Sequence, residues 1–146
     1  MIVRPMRLDD AATVAELTTQ LGYPVEPDEL RERVAALLAC PDEGALFVAD
    51  DDEPIGWIHV ERRLTLETSP AVQVMGLVVH EGHRSGGIGR QLLEAGEAWA
   101  RERGIGRMLV GTRTTRIEAH RFYERQGYTI WKTSYFMQKA LRNEPS

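Results

Sequence analysis

Residues 77–90 read LVVHEGHRSGGIGR and bring glycine, arginine and a helix start together in an arrangement that suits phosphate. Gly86, Gly87 and Gly89 carry no side chain, so the backbone there can turn several N–H groups toward one anion. The amphipathic segment opening at Ile88 offers the first N–H groups of a helix, which lack intrahelical partners and sit at the positive end of its dipole. Arg84 and Arg90 flank the turn as charge-assisted donors, with Ser85 inside it. The apolar run Leu77, Val78, Val79 delivers the chain to this turn as the end of a strand. The chemistry implied is recognition of a diphosphate-bearing cofactor.

Spacing excludes two common phosphate motifs. A P-loop needs Lys followed by Ser or Thr after its last glycine, whereas Gly89 is followed by Arg90 and Gln91. The dinucleotide fingerprint needs a third glycine where Leu92 stands, and an early place in the chain. His80 and His83 form an HxxH pair, but no further ligand spacing accompanies it and no metal is expected. Cys40, the single cysteine, excludes an internal disulfide and reads as structural. A net charge of −4, without exposed aromatics interleaved among the basic residues of 101–125, argues against nucleic acid and for a phosphorylated cofactor. No apolar run reaches a membrane span and residues 1–10 lack a signal-peptide core, so a cytoplasmic protein with no membrane partner is expected.

The 146 residues suit one compact domain, with residues 1–140 as its body and 141–146 as a tail. Residues 2–7 read as a short strand in which Pro5 marks an edge or a bend. Asp9 or Asp10 is placed to cap a first helix, whose apolar positions recur from Ala11 to Leu21, and a second helix spans 27–39. Two strand-like runs follow, joined by the acidic turn Asp50, Asp51, Asp52, Glu53, and then a third at 71–80, together an antiparallel meander. The helix after the glycine turn buries Ile88, Leu92, Ala95 and Trp99 and ends near Gly104. It makes a crossover, so the next strand, RMLVGT, should run parallel to the one ending at His80. A short helix over 118–126 stops at Gly127, and TIWKTSYFMQKAL closes the fold as a strand or bent strand pair.

Arg84, Gly87 and Gly89 resemble the Arg/Gln-x-x-Gly-x-Gly/Ala motif of the GNAT (GCN5-related) acyl-CoA N-acyltransferases, and AHRFYERQGY (119–128) is similar to that family's later helix-and-turn motif. The N-terminal segment VRPMRLDDAATVAELTTQL also resembles the family's opening strand and helix; the likeness is weakest over 23–45. It implies an α/β (α+β) single-domain acyl-CoA N-acyltransferase fold: a mixed, mostly antiparallel sheet of six to seven strands, about four helices, and central parallel strands that splay apart around acetyl-CoA. The N–H and C=O groups freed at Leu77 and Val79 would then pair with the amide-rich pantetheine arm, and the N–H of Leu77 or Val78 would meet the thioester oxygen. Residues 84–90, Ile88 included, would hold the diphosphate.

The resemblance further implies direct attack of a primary amine, from a small molecule or a protein, on the acetyl thioester with no acyl-enzyme. Tyr123 matches the family tyrosine that donates to the departing sulfur. A phenol near ~10 is a weaker acid than a thiol near ~8.5, so hydrogen-bond donation rather than full transfer is the expected role. Many relatives carry a glutamate where this chain has Gly111, and the base therefore falls to the strand residues His59, Glu61 and Gln73, with Glu61 acting through water as the candidate. Arg116 stands where relatives often place an asparagine that touches the pantetheine arm, and would reach a CoA phosphate or solvent instead. His120 is expected to face solvent or the adenine side. Acceptor choice is assigned to 21–34 and 65–71, which carry no readable chemistry. Trp131, Tyr135 and Phe136 suit a homodimer as well as a core. The alternative function is a non-catalytic acyl-CoA-binding regulatory module.

Overall fold

The computed structural model describes residues 1–142, and their side chains apart from those of Arg84 and Ser85; the end of the expected tail, 143–146, lies outside the described residues. The chain divides into two compact units, Met1–Gly111 and Thr112–Ser146. In the first, β1 (Ile2–Pro5), α1 (Ala11–Gln20), α2 (Pro27–Leu38), β2 (Gly44–Asp50), β3 (Pro54–Arg63), β4 (Ala71–Val79), α3 (Ile88–Glu102) and β5 (Met108–Val110) follow one another. The sheet order is β1-β2-β3-β4-β5, with β1 to β4 antiparallel and β5 parallel to β4.

Local chemistry accounts for these elements. Pro5, which cannot donate to a ladder, ends the edge strand β1. Asp52 takes a left-handed φ of 67° in the β2–β3 turn, a conformation Asp tolerates better than most residues. Pro27 starts α2, where its missing N–H costs nothing, and Asp28 and Glu29 follow at the positive end of the dipole. Return through α3 makes β5 parallel to β4, as a crossover must.

The sheet is covered on both faces. On one side α3 buries Ile88, Leu92, Leu93, Trp99 and Ala100. Gly96 approaches β3 so closely that a Cβ there would lie 2.9 Å from Val60 Cγ1. On the other, Met6, Val14, Val34, Leu46 and Val48 form a buried cluster with Leu8, Leu30 and Trp57 against it. Each such apolar side chain contributes about 1.5–3 kcal/mol when fully buried. Asp10 sits at the start of α1 yet makes no side-chain cap there. Its carboxylate accepts from Arg4 Nη1 and Nη2 at 2.9 and 2.8 Å and from the Arg7 N–H at 2.7 Å. Arg4 Nε reaches Asp50 at 3.0 Å, so one ion cluster ties β1, the entry to α1 and the end of β2 together. Donation from the Arg4 guanidinium outweighs burial and holds the Asp10 carboxyl below its ordinary range.

The second unit carries α4 (Ile117–Arg125), which ends at Gly127 with φ +93° and a Tyr128 N–H to Tyr123 C=O bond of 3.0 Å. Here two expectations are corrected: the sheet has five strands rather than six to seven, and TIWKTSYFMQKAL forms no strand among the described residues. A strand needs cover for its apolar face, and Tyr135, Phe136 and Met137 of this segment are 96%, 91% and 94% exposed.

Candidate active site

β4 and β5 pair only at Val72↔Met108, Gln73↔Leu109 and Val74↔Val110. From Met75 to Val79, β4 keeps β3 on one edge and, among the described residues, has no strand on the other. Leu77, Val78 and Val79 lie on this open stretch and are half-buried, whereas Val72 and Val74 are buried. Over these five residues, about 16 Å, alternate residues turn their N–H and C=O groups to the open edge, where an amide-bearing chain can satisfy them.

The open edge runs straight into the glycine turn. Glu81–Gly86 forms tight 3-10 turns, steadied by the Gly82 N–H donating to His80 Nδ1 at 3.1 Å. The His80 and His83 rings meet edge to face with centroids 5.4 Å apart. Gly87 then adopts φ +75°, the left-handed conformation for which glycine is suited, and opens α3. Gly87, at its N-cap, has no side chain with which to cap that helix, and its first bond is Gln91 N–H to Gly87 C=O at 3.1 Å. The N–H groups of Ile88, Gly89 and Arg90 precede that bond and are the orphan donors of the helix start. Gly86 tolerates a Cβ, whose nearest neighbour would be Ile88 Cδ1 at 3.8 Å, so it is Gly87 that the backbone requires. Arg90 is exposed beside Glu94 at 3.7 Å, free to swing to an anion; the side chains of Arg84 and Ser85 lie outside the described residues. Helix-start amides next to an unpaired strand edge fit a diphosphate carrying an amide-rich arm.

Opposite α3, the sheet presents a second set of groups. Ile58 and Val60 face α3, so by alternation Trp57, His59 and Glu61 face α1 and α2, and Trp57 Nε1 donates to Thr18 Oγ1 of α1 at 3.0 Å. Glu61 pairs across the ladder with Gln73, which accepts from Arg63, so the structure brings His59, Glu61 and Gln73 onto one face. Burial lowers the His59 pKa, with Glu61 opposing, and its Nε2 is buried without a partner. A feature the sequence reading missed is a bulge: His59 faces Gly76 but Val60 faces Val74, leaving Met75 extra on β4. The signal was Gly76, since glycine inside a strand often marks a bulge or a close approach.

In the second unit, Tyr123 stacks edge to face between Phe122 and Tyr128 at 5.0 and 5.7 Å. Burial pushes its phenol up to about 12, partly offset by the positive charge of Arg116, the residue that precedes α4. His120 Nε2 lies 2.8 Å from the Arg113 carbonyl, a local tie across the start of α4.

Comparison with known proteins agrees with this geometry. The acetyltransferase (GNAT) family model matches residues 11–128. An aminoglycoside N(6')-acetyltransferase type 1 from Stenotrophomonas maltophilia is 32% identical over 143 residues, 94% of this chain and 90% of that protein. An aminoalkylphosphonate N-acetyltransferase from Salmonella typhimurium is 33% identical over 127 residues, 86% of this chain and 78% of that one. Among solved structures, an aminoglycoside N-acetyltransferase, AAC(6')-Iy, in complex with CoA superposes with a TM-score of 0.84 at 22% identity, over 94% of this chain and 93% of that chain. The glycine turn, the half-paired β4 and these matches together make the chain a member of the GNAT family of N-acetyltransferases.

Proposed function

We propose that this protein transfers the acetyl group of acetyl-CoA directly to a primary amine of a small molecule, in the cytoplasm, within one domain spanning 1–140. The observation that carries the reading is the open edge of β4 leading into the N–H groups at the start of α3, where the N-cap is glycine. The diphosphate is assigned to the amides at 86–90, aided by Arg84, Ser85 and Arg90, with Arg116 for a further phosphate. The pantetheine arm is assigned to the edge at Leu77 and Val79, and the thioester oxygen to the N–H of Leu77 or Val78 as negative charge builds on it. Holding both substrates in line contributes up to about 7–11 kcal/mol of barrier reduction, and an oxyanion donor about 3–4. Tyr123 donates a hydrogen bond to the departing sulfur, a role its raised pKa favours because the phenol stays protonated. Glu61, through water, is the carboxylate outlet for the amine's proton. Small-molecule acceptors are favoured because the two named relatives are called acetyltransferases of aminoglycosides and aminoalkylphosphonates.

A homodimer is part of the proposal. Tyr135, Phe136 and Met137 stand almost wholly exposed in a row, more apolar surface than a lone soluble chain ordinarily shows to water. The functional test is thiol release from acetyl-CoA against a panel of aminoglycosides, aminoalkylphosphonates, polyamines and a lysine peptide. Turnover on a small amine supports the reading. Tight acetyl-CoA binding with no turnover on any acceptor contradicts it, and assigns the chain to acyl-CoA binding alone.

A further inference from the structure

The register of β3 against β4 changes at one place, between His59 and Val60, and the bulge it produces at Met75 begins one residue beyond the last β4–β5 pair. An extended arm anchored at the start of α3 and paired along β4 from Val79 back toward Met75 therefore brings its far end to the bulge. Bulges beside a site re-aim the neighbouring side chains. Directly across from the bulge, on β3, stands His59, opposite Gly76.

The surroundings of His59 are specific. Gly76 has no side chain because the Trp57 ring lies over it, where a Cβ would be 2.7 Å from Trp57 Cη2. The space over the cross-strand neighbour of His59 is thus filled by the Trp57 ring rather than by a side chain of β4. On the other strand His59 pairs with Leu46. The helices packed on this face contribute Val14, Thr18, Leu30 and Val34, none of which ionises. The charged groups of the same strand face are Glu61 and Arg63, and Arg63 is bonded to Gln73. Within this apolar setting His59 Nε2 is buried with no hydrogen-bond partner. A buried polar atom without a partner is costly, and a bound N–H would supply what it lacks.

We propose that His59 Nε2 takes the proton that the acceptor amine loses as it attacks the thioester carbon. The inference rests on the acetyl-transfer reading above. In the step, the C–N bond forms, the C–S bond breaks, the electron pair leaves on sulfur as the CoA thiolate, and the amine proton passes to the imidazole. Burial lowers the pKa of His59 and so keeps the ring neutral and able to accept near neutral pH. Glu61, two residues along the same face, stabilises the imidazolium that results and remains the onward path for the proton. The first transfer thus belongs to the histidine and the second to the carboxylate.

The test compares wild type, H59Q and E61Q with one accepted amine, following kcat from pH 5 to 9.5 and measuring acetyl-CoA affinity by calorimetry. The wild-type kcat should fall at acid pH as the imidazole charges. H59Q should lose roughly 10²–10³-fold in kcat and the acid limb with it, while its acetyl-CoA Kd stays within twofold. E61Q should keep the limb. A loss under fivefold in H59Q, or an acid limb that persists in it, overturns the proposal. A second reading needs no variant: the wild-type imidazole, followed by NMR with CoA bound, should titrate at the pH of the limb, and an imidazole that does not titrate there also overturns it. The two levels separate cleanly. A wild type that binds acetyl-CoA but acetylates nothing refutes the acetyl-transfer reading and this inference together, whereas an active wild type with an equally active H59Q refutes this inference alone.

Discussion

Gly87 offers a test of how the turn holds its ligand, because the structure isolates the backbone as the only thing an added methyl group perturbs. Its φ is +75°, and a Cβ there would have Arg90 Nη2 at 3.9 Å as its nearest neighbour, so Gly87→Ala brings conformational strain and no clash. An L-residue in this region costs about 1–2 kcal/mol. In an exposed turn that strain can be relieved by leaving the left-handed conformation in the free protein, but binding through the converging amides must restore it. The cost then appears as a 5–30-fold rise in the acetyl-CoA Kd, with only a small fall in stability. Gly22, Gly104 and Gly127 serve as matched controls, since their φ values are +95°, +72° and +93° and nothing lies within 4 Å of a Cβ at any of them. Calorimetric titration with acetyl-CoA and thermal melts on all four alanine variants check the reasoning. G22A, G104A and G127A should lose about 1–2 kcal/mol of stability, roughly 2–8 °C in Tm, with acetyl-CoA affinity intact. Wild-type affinity in G87A, or an equal loss in all four, refutes the argument that this conformation builds the anion cradle.

Asp10→Asn should destabilise by about 2–3 kcal/mol at pH 7 in urea titrations, because a buried carboxylate serving Arg4 and the Arg7 N–H is removed. The Asp10 pKa is depressed in the folded chain, so its stabilisation is present above the unfolded value near 3.8 and is lost as pH falls below it; the gap between wild type and D10N should therefore shrink toward pH 3. Gly76→Ala forces a methyl to 2.7 Å from a ring that is also bonded to Thr18, and should cost about 1–3 kcal/mol, seen in the melting curve. Tyr123→Phe should lower kcat by about 10²-fold. With its phenol pushed up to about 12, any fall in rate below pH 10 on the alkaline side should be the same in Y123F as in wild type. If the proposed homodimer forms, Phe136→Asp should shift it to monomer in light scattering, since that ring is 91% exposed in the single chain.

Much of this was legible in the sequence because the signals were local. Pro5 marked an edge or a bend and proved an edge, the acidic turn marked a hairpin, and of Ile88, Leu92, Ala95 and Trp99, read as the buried face of α3, all but Ala95 are buried. The parallel placement of β5 followed from the crossover, whereas of Gly86, Gly87 and Gly89, which the phosphate-turn reading treated alike, only Gly87 takes a positive φ. What escaped depended on partners distant in sequence. Asp10 looked like a cap, but Arg4 and Arg7 claim its carboxylate. The bulge at Met75 needed knowledge of the β3 register, for which Gly76 alone was a hint. The segment TIWKTSYFMQKAL has the composition of a strand, yet residue type cannot say whether a single chain supplies the ladder that a strand requires.

Backbone hydrogen exchange with and without CoA tests the central claim most directly, because that claim concerns main-chain amides. CoA should slow exchange at 75–79 on the open edge of β4 and at 87–90 at the start of α3, leaving α1 and the β1–β2 pair unchanged. CoA that binds without protecting either segment, or fails to bind, would contradict it.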